Sequence, residues 1–219
     1  MKNTITHSPS RQSLADKAYR LLAEQIVTLQ LQPGQLLIEK ELIEMTGIGR
    51  TPVREAIQRL AAAGLLQVLP RKGLMVTVLS RSGLMMMLEA RKVLERLMVV
   101  KAAERATPDQ RRALQTMAAH ITALGDDLGG FQRLDTRLYE VLGLACKNSY
   151  LVGALAPIRG QCRRLWHLQN NAVDHSRVTY LHGALTTMVA EGDGAGAIRA
   201  LDGIIAILEE LINHLDILG

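Results

Sequence analysis

The stretch that decides the fold is GIGRTPVREAI, Gly47 to Ile57. Two arginines, Arg50 and Arg54, stand one helical turn apart around a Thr-Pro pair, at the mouth of what reads as a helix. Thr51 can cap the free amides there, and Pro52 fits the first helical position, where its missing N–H leaves no bond unmade. Val53, Ile57 and Leu60 follow at helical spacing as a buried face, and Gly64 ends the run. Alone, an arginine pair before an apolar-periodic run describes a solvated helix end. Its neighbours give it more meaning.

Upstream, Ser13-Leu-Ala-Asp16 offers an N-cap with an acid three residues on, and Ala18, Leu21, Leu22, Ile26 and Leu29 recur at helical spacing, predicting a helix over about 14–29. Gln32-Pro33-Gly34 breaks it, and Glu39 to Met45 reads as a short second helix ending at Gly47. Downstream, Leu65–Leu69 and Leu74–Leu79 are β-prone runs around Pro70-Arg-Lys-Gly73, a hairpin with a basic tip. Three short helices followed by a two-stranded β-hairpin predict a winged helix-turn-helix. In that fold the third helix presents its N-terminal residues to base edges in the major groove, where Arg50 and Arg54 can bond guanine or neutralise phosphate. Thr51 holds the backbone, and the tip Arg71-Lys72-Gly73 lies along the neighbouring backbone or minor groove, Gly73 allowing a tight turn and close approach.

Gln32-Pro-Gly34, Leu42 to Gly47, Arg50-Thr-Pro-Val-Arg-Glu-Ala56, Arg59-Leu60, Gly64-Leu65 and Arg71-Lys-Gly73 together resemble the DNA-binding domain of GntR-family transcriptional regulators. The resemblance covers almost all of 13–79. The chain departs from it at Gly49, where the family pattern usually has a serine that can contact phosphate.

Beyond about Ser80 the sequence turns to long helical periods: Gly83–Arg105, Pro108–Leu124, Phe131–Cys146, Tyr150–Leu168, Arg177–Glu191 and Gly194–Leu215. No strand signal interrupts them, so residues 80–219 are expected to form an all-α bundle of six or seven helices. Leu88–Glu95, Ala102–Pro108, Asp135–Asn148 and Glu191-Gly-Asp193 resemble the effector-sensing and dimerisation (FCD-type) domain of the FadR subfamily of GntR regulators. That resemblance implies a small organic acid as effector and a homodimer on a pseudo-palindromic operator in double-stranded DNA, most often as a repressor released by its effector.

Many such domains hold a divalent metal with one Asp and three His. Asp135 and His182 fall on that pattern, whereas the other two positions carry Tyr139 and Ile204. A hydrocarbon cannot ligate, and a phenol must usually lose a proton of pKa near 10 to do so. The expectation is therefore no metal and no other cofactor. The resemblance implies Arg91, Asp135, Tyr139 and His182 as the effector-binding set, with Arg91 as a cationic anchor for a carboxylate; the alternative is a satisfied polar cluster that holds the helices in register. Arg163, Arg164 and His167 read as a surface patch, and Met85-Met-Met87 as core packing.

The totals agree with this division. The 219 residues suffice for two domains, and no apolar run is long enough to span a bilayer. The net charge of +5 is concentrated near the N-terminus: residues 1–80 carry 10 Lys+Arg against 6 Asp+Glu, leaving 16 against 15 in the remainder. That balance is compatible with nucleic acid as a partner. Residues 1–12 read as a flexible N-terminus without a secretory signal, which implies a cytoplasmic protein. Cys146 and Cys162 form neither a C-x-x-C unit nor a disulfide framework and are expected to be buried free thiols. A competing class is a metal-dependent helical-bundle enzyme with an accessory winged helix, but no nucleophile-base-orienter set is visible. A protein- or RNA-binding winged helix would call for a neutral or acidic recognition helix, unlike Arg50, Arg54, Arg59, Arg71 and Lys72.

Overall fold

A computed structural model describes residues 13–169 and 174–215; the N-terminal residues 1–12 lie outside it. The chain divides into two compact units after Val78.

In the first unit Ser13 starts α1 (Leu14–Val27) through a complete capping box, its hydroxyl accepting from the Asp16 amide while the Asp16 carboxylate accepts from the Ser13 amide. The helix stops two residues short of the predicted end because Leu29 adopts a left-handed φ of 59°. α2 (Glu39–Thr46) has no side-chain cap from Ile38; Glu41 instead reaches back to accept from the Ile38 amide at 2.9 Å. Gly47, left-handed at φ 63°, closes α2 and leads into α3 (Arg50–Ala62). α1, α2 and α3 bury Leu22, Ile26, Leu42, Val53, Ile57 and Leu60 in one core with Leu66, Leu74 and Val76 of the sheet.

The start of α3 corrects one expectation. Its N-cap is Gly49, with no side-chain cap bond, so Thr51 lies inside the first turn and Pro52 at its third residue rather than its first. Pro52 is still tolerated, because the amides of a helix's first turn have no intrahelical partner to lose. The wing also has one strand more than the hairpin: β1 (Leu36–Leu37) pairs antiparallel with β3 (Gly73–Val76), which pairs with β2 (Leu66–Leu69).

The second unit holds six helices among the described residues, α4 (Arg81–Arg105), α5 (Pro108–Ala123), α6 (Leu128–Cys146), α7 (Ser149–Leu168), α8 (His175–Glu191) and α9 (Gly194–Asn213). Each opens on a side-chain cap, from Ser80, Thr107, Asp127, Asn148, Asp174 and Asp193 in turn. α4 packs against α6, α7, α8 and α9, and α5 packs against α6 and α8. Arginines close the opposite ends: Arg111 donates to the carbonyls of Ala103 and Ala190, and Arg105 to that of Cys146, satisfying acceptors that a helix C-terminus leaves open. Both cysteines are buried free thiols. Met85 and Met87 pack on the core, whereas Met86 is exposed. Among the described residues no helix is long and apolar enough to cross a membrane.

Candidate functional site

Two groups of residues carry chemistry, one in each unit. In the first, Val53, Ala56, Ile57 and Leu60 anchor one face of α3, which leaves Arg50, Thr51 and Arg54 exposed on its first two turns. The two guanidiniums are not loose. Arg54 Nε donates to Glu39 Oε2 at 2.7 Å, and Arg50 Nε lies 3.4 Å from Glu39 Oε1, so one carboxylate at the start of α2 gathers both. Each pair engages through Nε, leaving the terminal nitrogens as a fork for another acceptor. Sequence reasoning missed Glu39, since nothing in its position fifteen residues before Arg54 signals the pairing.

Arg59, basic and on the same helix, turns elsewhere. Its Nη1 donates to Asp16 at 2.7 Å and its guanidinium covers the Tyr19 ring at 4.5 Å, tying α3 to α1. The Arg59 guanidinium, with help from Ser13, holds the Asp16 carboxyl below its usual range. At the wing, the Lys72 amide donates to the Leu69 carbonyl at 3.0 Å, closing a turn with Pro70 and a left-handed Arg71 (φ 63°) at its centre. Arg71 and Lys72 are exposed. Gly73 has φ 99°, and a Cβ there would sit 2.6 Å from the Leu37 carbonyl oxygen, so its close approach is to β1 within the fold. Gly49 has ordinary φ and open space around it, so a serine would fit without strain.

In the second unit Arg91 (α4), Asp135 and Tyr139 (α6) and His182 (α8) line one small cavity with Arg159, Cys162, Arg163 and Trp166 of α7. The side chains close on one another, leaving a cavity of about 10 Å³, room for about one water molecule. Arg91 is nearly fully buried; its Nε donates to Glu95 Oε2 at 2.8 Å and its Nη2 to the Tyr139 hydroxyl at 3.0 Å. Its Nη1 and Glu95 Oε1 are buried without a hydrogen-bond partner. Arg159 Nη2 donates to Asp135 Oδ2 at 2.9 Å, and Cζ of the same guanidinium lies over the Tyr139 ring, 3.5 Å from its centroid. Neither Arg159 nor Glu95 was singled out from sequence. A wider groove of about 730 Å³ shares Tyr139 and runs past Leu144, Lys147 and Val152, and none of the other predicted effector residues lines it.

The implied metal was tested against these residues. His182 Nδ1 lies 2.8 Å from the Val178 carbonyl, which makes that nitrogen the donor and leaves Nε2 as an acceptor 3.8 Å from Asp135 Oδ1. Burial pushes the Tyr139 phenol well above its usual pKa, so it stays protonated and is a poor ligand. Ile204 is buried in the hydrophobic core. Two donors remain, fewer than the three protein ligands of an open zinc site, and one of them already carries a guanidinium. Among the described residues no three His, Cys, Asp or Glu side chains cluster for a metal. This donor set does not fit one.

The expected surface patch on α7 is corrected. Arg164 is fully buried and Arg163 and His167 are half-buried, because α7 presents that face to the bundle. Burial lowers the Arg164 pKa to about 10, and Gln161 Oε1 accepts from its Nη1 at 3.0 Å.

The comparisons with known proteins match both units. Residues 14–76 fit the family described as bacterial regulatory proteins, gntR family, and residues 86–206 fit the FCD domain. An uncharacterised HTH-type transcriptional regulator from the TAR-I ttuE-ttuC' intergenic region of Agrobacterium vitis is 33% identical over 136 residues, 59% of this chain and 78% of that protein. The HTH-type transcriptional repressor RspR of Escherichia coli is 30% identical over 133 residues, 60% of this chain and 58% of that protein. Among solved structures, E. coli McbR/YncC superposes with a TM-score of 0.78 at 23% identity, covering 92% of this chain and 97% of that one.

Proposed function

Because the chain belongs to the GntR family of bacterial regulators and carries an FCD domain, a DNA-binding transcriptional regulator with a ligand-binding effector domain and not an enzyme, we propose that it is a repressor released by a small organic acid. It acts in the cytoplasm as a homodimer on a pseudo-palindromic operator, one winged helix per half-site. Arg50 and Arg54 read bases through their terminal nitrogens, Thr51 contacts the backbone, and Arg71, Lys72 and Gly73 form the wing that meets neighbouring phosphates. The observation that carries this reading is the pair of exposed arginines on the first two turns of α3, gathered on the Glu39 carboxylate with their forks open. With no serine at Gly49, positioning falls more heavily on backbone amides, Thr51 and the wing.

Arg91, Asp135, Tyr139 and His182 form the effector site. What supports this is their convergence on one cavity whose buried Arg91 keeps an unpartnered donor. The effector changes operator affinity only as far as it binds one state of the dimer better than the other. The repressor sign is supported by the resemblance and by the name of the RspR relative.

The test is a mobility shift on an operator selected from a random duplex pool with the wild-type chain. Arg54→Ala should lose about 1–3 kcal/mol of operator affinity, the worth of a bidentate base contact. Retention within a factor of about 2 would remove Arg54 from base reading.

A further inference from the structure

We propose that Tyr139 is a door between the closed polar cavity and the groove at the α6–α7 corner, and that a small molecule reaches the effector site only when this ring swings out into the groove. The inference rests on the effector reading above and adds the route in, the side chain that moves and the contacts it must break.

Three observations carry it. First, a cavity with room for about one water molecule admits no organic molecule among Arg91, Asp135, Tyr139 and His182 until a wall moves. Second, Tyr139 is the one residue that lines both this cavity and the groove of about 730 Å³ beside it. That groove is of ordinary size for a ligand pocket. It presents Leu144 and Val152, 70% and 39% exposed, so an aromatic ring turned into it lands on apolar surface. Third, the other walls are pinned from inside the bundle. Arg91 is buried and paired with Glu95 at 2.8 Å, and Asp135 is tied to α7 through Arg159 at 2.9 Å. His182 holds the Val178 carbonyl at 2.8 Å and meets the Phe131 ring at 4.7 Å.

Tyr139 is latched at both ends of its ring system. Its hydroxyl accepts from Arg91 Nη2 at 3.0 Å, and its ring centroid lies 3.5 Å from Arg159 Cζ. A tyrosine on a helix has two favoured positions for its ring, because the third χ1 well drives it into the preceding turn. The latched ring fills one of them, and the groove leaves room for the other. The open and closed states then differ in the Tyr139 contacts, which is the differential interaction a ligand needs in order to shift a two-state equilibrium.

Cys162 and Trp166 line the cavity, and Trp166 is the only tryptophan, so both report the door without any effector. The full chain is exposed to methyl methanethiosulfonate, a small uncharged thiol reagent, and labelling at each cysteine is followed by peptide mass mapping. Cys146, buried in the core and absent from the cavity lining, measures general opening of the bundle. Tyr139→Phe removes the hydroxyl latch and should speed labelling of Cys162 relative to Cys146 at least about tenfold, the loss of one hydrogen bond to a charged group. Acrylamide quenching of Trp166 should rise with it. Val152→Phe fills the groove from a partly exposed position, keeps Trp166 as the only tryptophan, and should cancel most of that gain when combined with Tyr139→Phe. Should Tyr139→Phe fail to fold, Val152→Phe alone must slow Cys162 labelling relative to Cys146. A labelling ratio in folded Tyr139→Phe within a factor of about 2 of wild type, or one indifferent to Val152→Phe, would overturn the proposal. Labelling that follows the door in a chain that binds no small molecule would instead sink the effector reading and leave the door standing.

Discussion

Replacing Glu39 by glutamine tests how the two arginines proposed to read bases, Arg50 and Arg54, are aimed. Glu39 pairs with Arg54 at 2.7 Å and with Arg50 at 3.4 Å, while the two arginine side chains remain 60% and 72% exposed. Exposed pairs of this kind contribute about 0.2–1 kcal/mol each, far less than their bare Coulomb attraction, because water screens them and two long side chains must be ordered. On random-sequence DNA the phosphates compete with Glu39 for both guanidiniums. Losing that competitor should tighten non-specific binding by roughly two- to fivefold, about 0.5–1 kcal/mol. On the operator the same loss frees two side chains that were held in place, and each must then be ordered on binding at about 0.5–1.5 kcal/mol. The two effects oppose each other in operator affinity, but in the ratio of operator to non-specific affinity the first cancels, so the ratio should fall by the ordering cost of about 1–3 kcal/mol, roughly 5- to 150-fold. Fluorescence anisotropy on the selected operator and on a random duplex, at two salt concentrations, reads both. Thermal unfolding is the control: Glu39 also sits favourably at the N-terminus of α2, so stability should drop by no more than about 1 kcal/mol. A specificity ratio unchanged within a factor of about 2, or affinities for both duplexes falling together, would refute the idea that Glu39 aims the arginines.

Three further outcomes follow from the geometry. Gly73→Ala places a Cβ 2.6 Å from the Leu37 carbonyl at a φ of 99°, so it should destabilise the first unit by more than about 1 kcal/mol in denaturant unfolding; an unchanged midpoint would mean the wing adapts freely. Glu95→Ala strands the buried Arg91 guanidinium and should cost about 3–5 kcal/mol, whereas Arg91→Met combined with Glu95→Leu should recover most of that loss. Equal losses in the single and the double variant would show that packing alone is at stake. Burial holds the His182 imidazole below its usual pKa, with Asp135 opposing. The folded chain therefore binds fewer protons than the unfolded one below about pH 6.5, so stability is full above that value and declines as the pH falls through it. His182→Gln should flatten the decline below about pH 6.5 in thermal melts, and an unaltered slope would assign it to other groups.

Most of the architecture was legible along the chain because its causes are local. Ser13 with Asp16, Thr107 with Pro108, and the glycines at 47, 64 and 192 mark helix ends through bonds and dihedrals formed within a few residues. Apolar spacing then selects the buried face of each helix, as at Val53, Ile57 and Leu60. The start of α3 was misplaced by two residues because Thr51 and Gly49 can both serve as caps, and only the chain path from Gly47 chooses between them. The strand Leu36–Leu37 was too short to show a period and exists because β3 passes beside it.

For the sites, the sequence by itself determined which residue types stand at the head of the recognition helix, on the wing and at the positions where metal ligands were missing. Only the tertiary structure decided what each of them faces. Glu39 meets Arg54 across fifteen residues, Arg59 meets Asp16 across 43, and Arg159 meets Asp135 across 24. Arg59 became a tie between helices, Arg164 a buried group, and Arg159 the cation over Tyr139, although all three are arginines on amphipathic helices. Periodicity places a side chain on a face, but the partner it meets is set by how helices distant in sequence pack together.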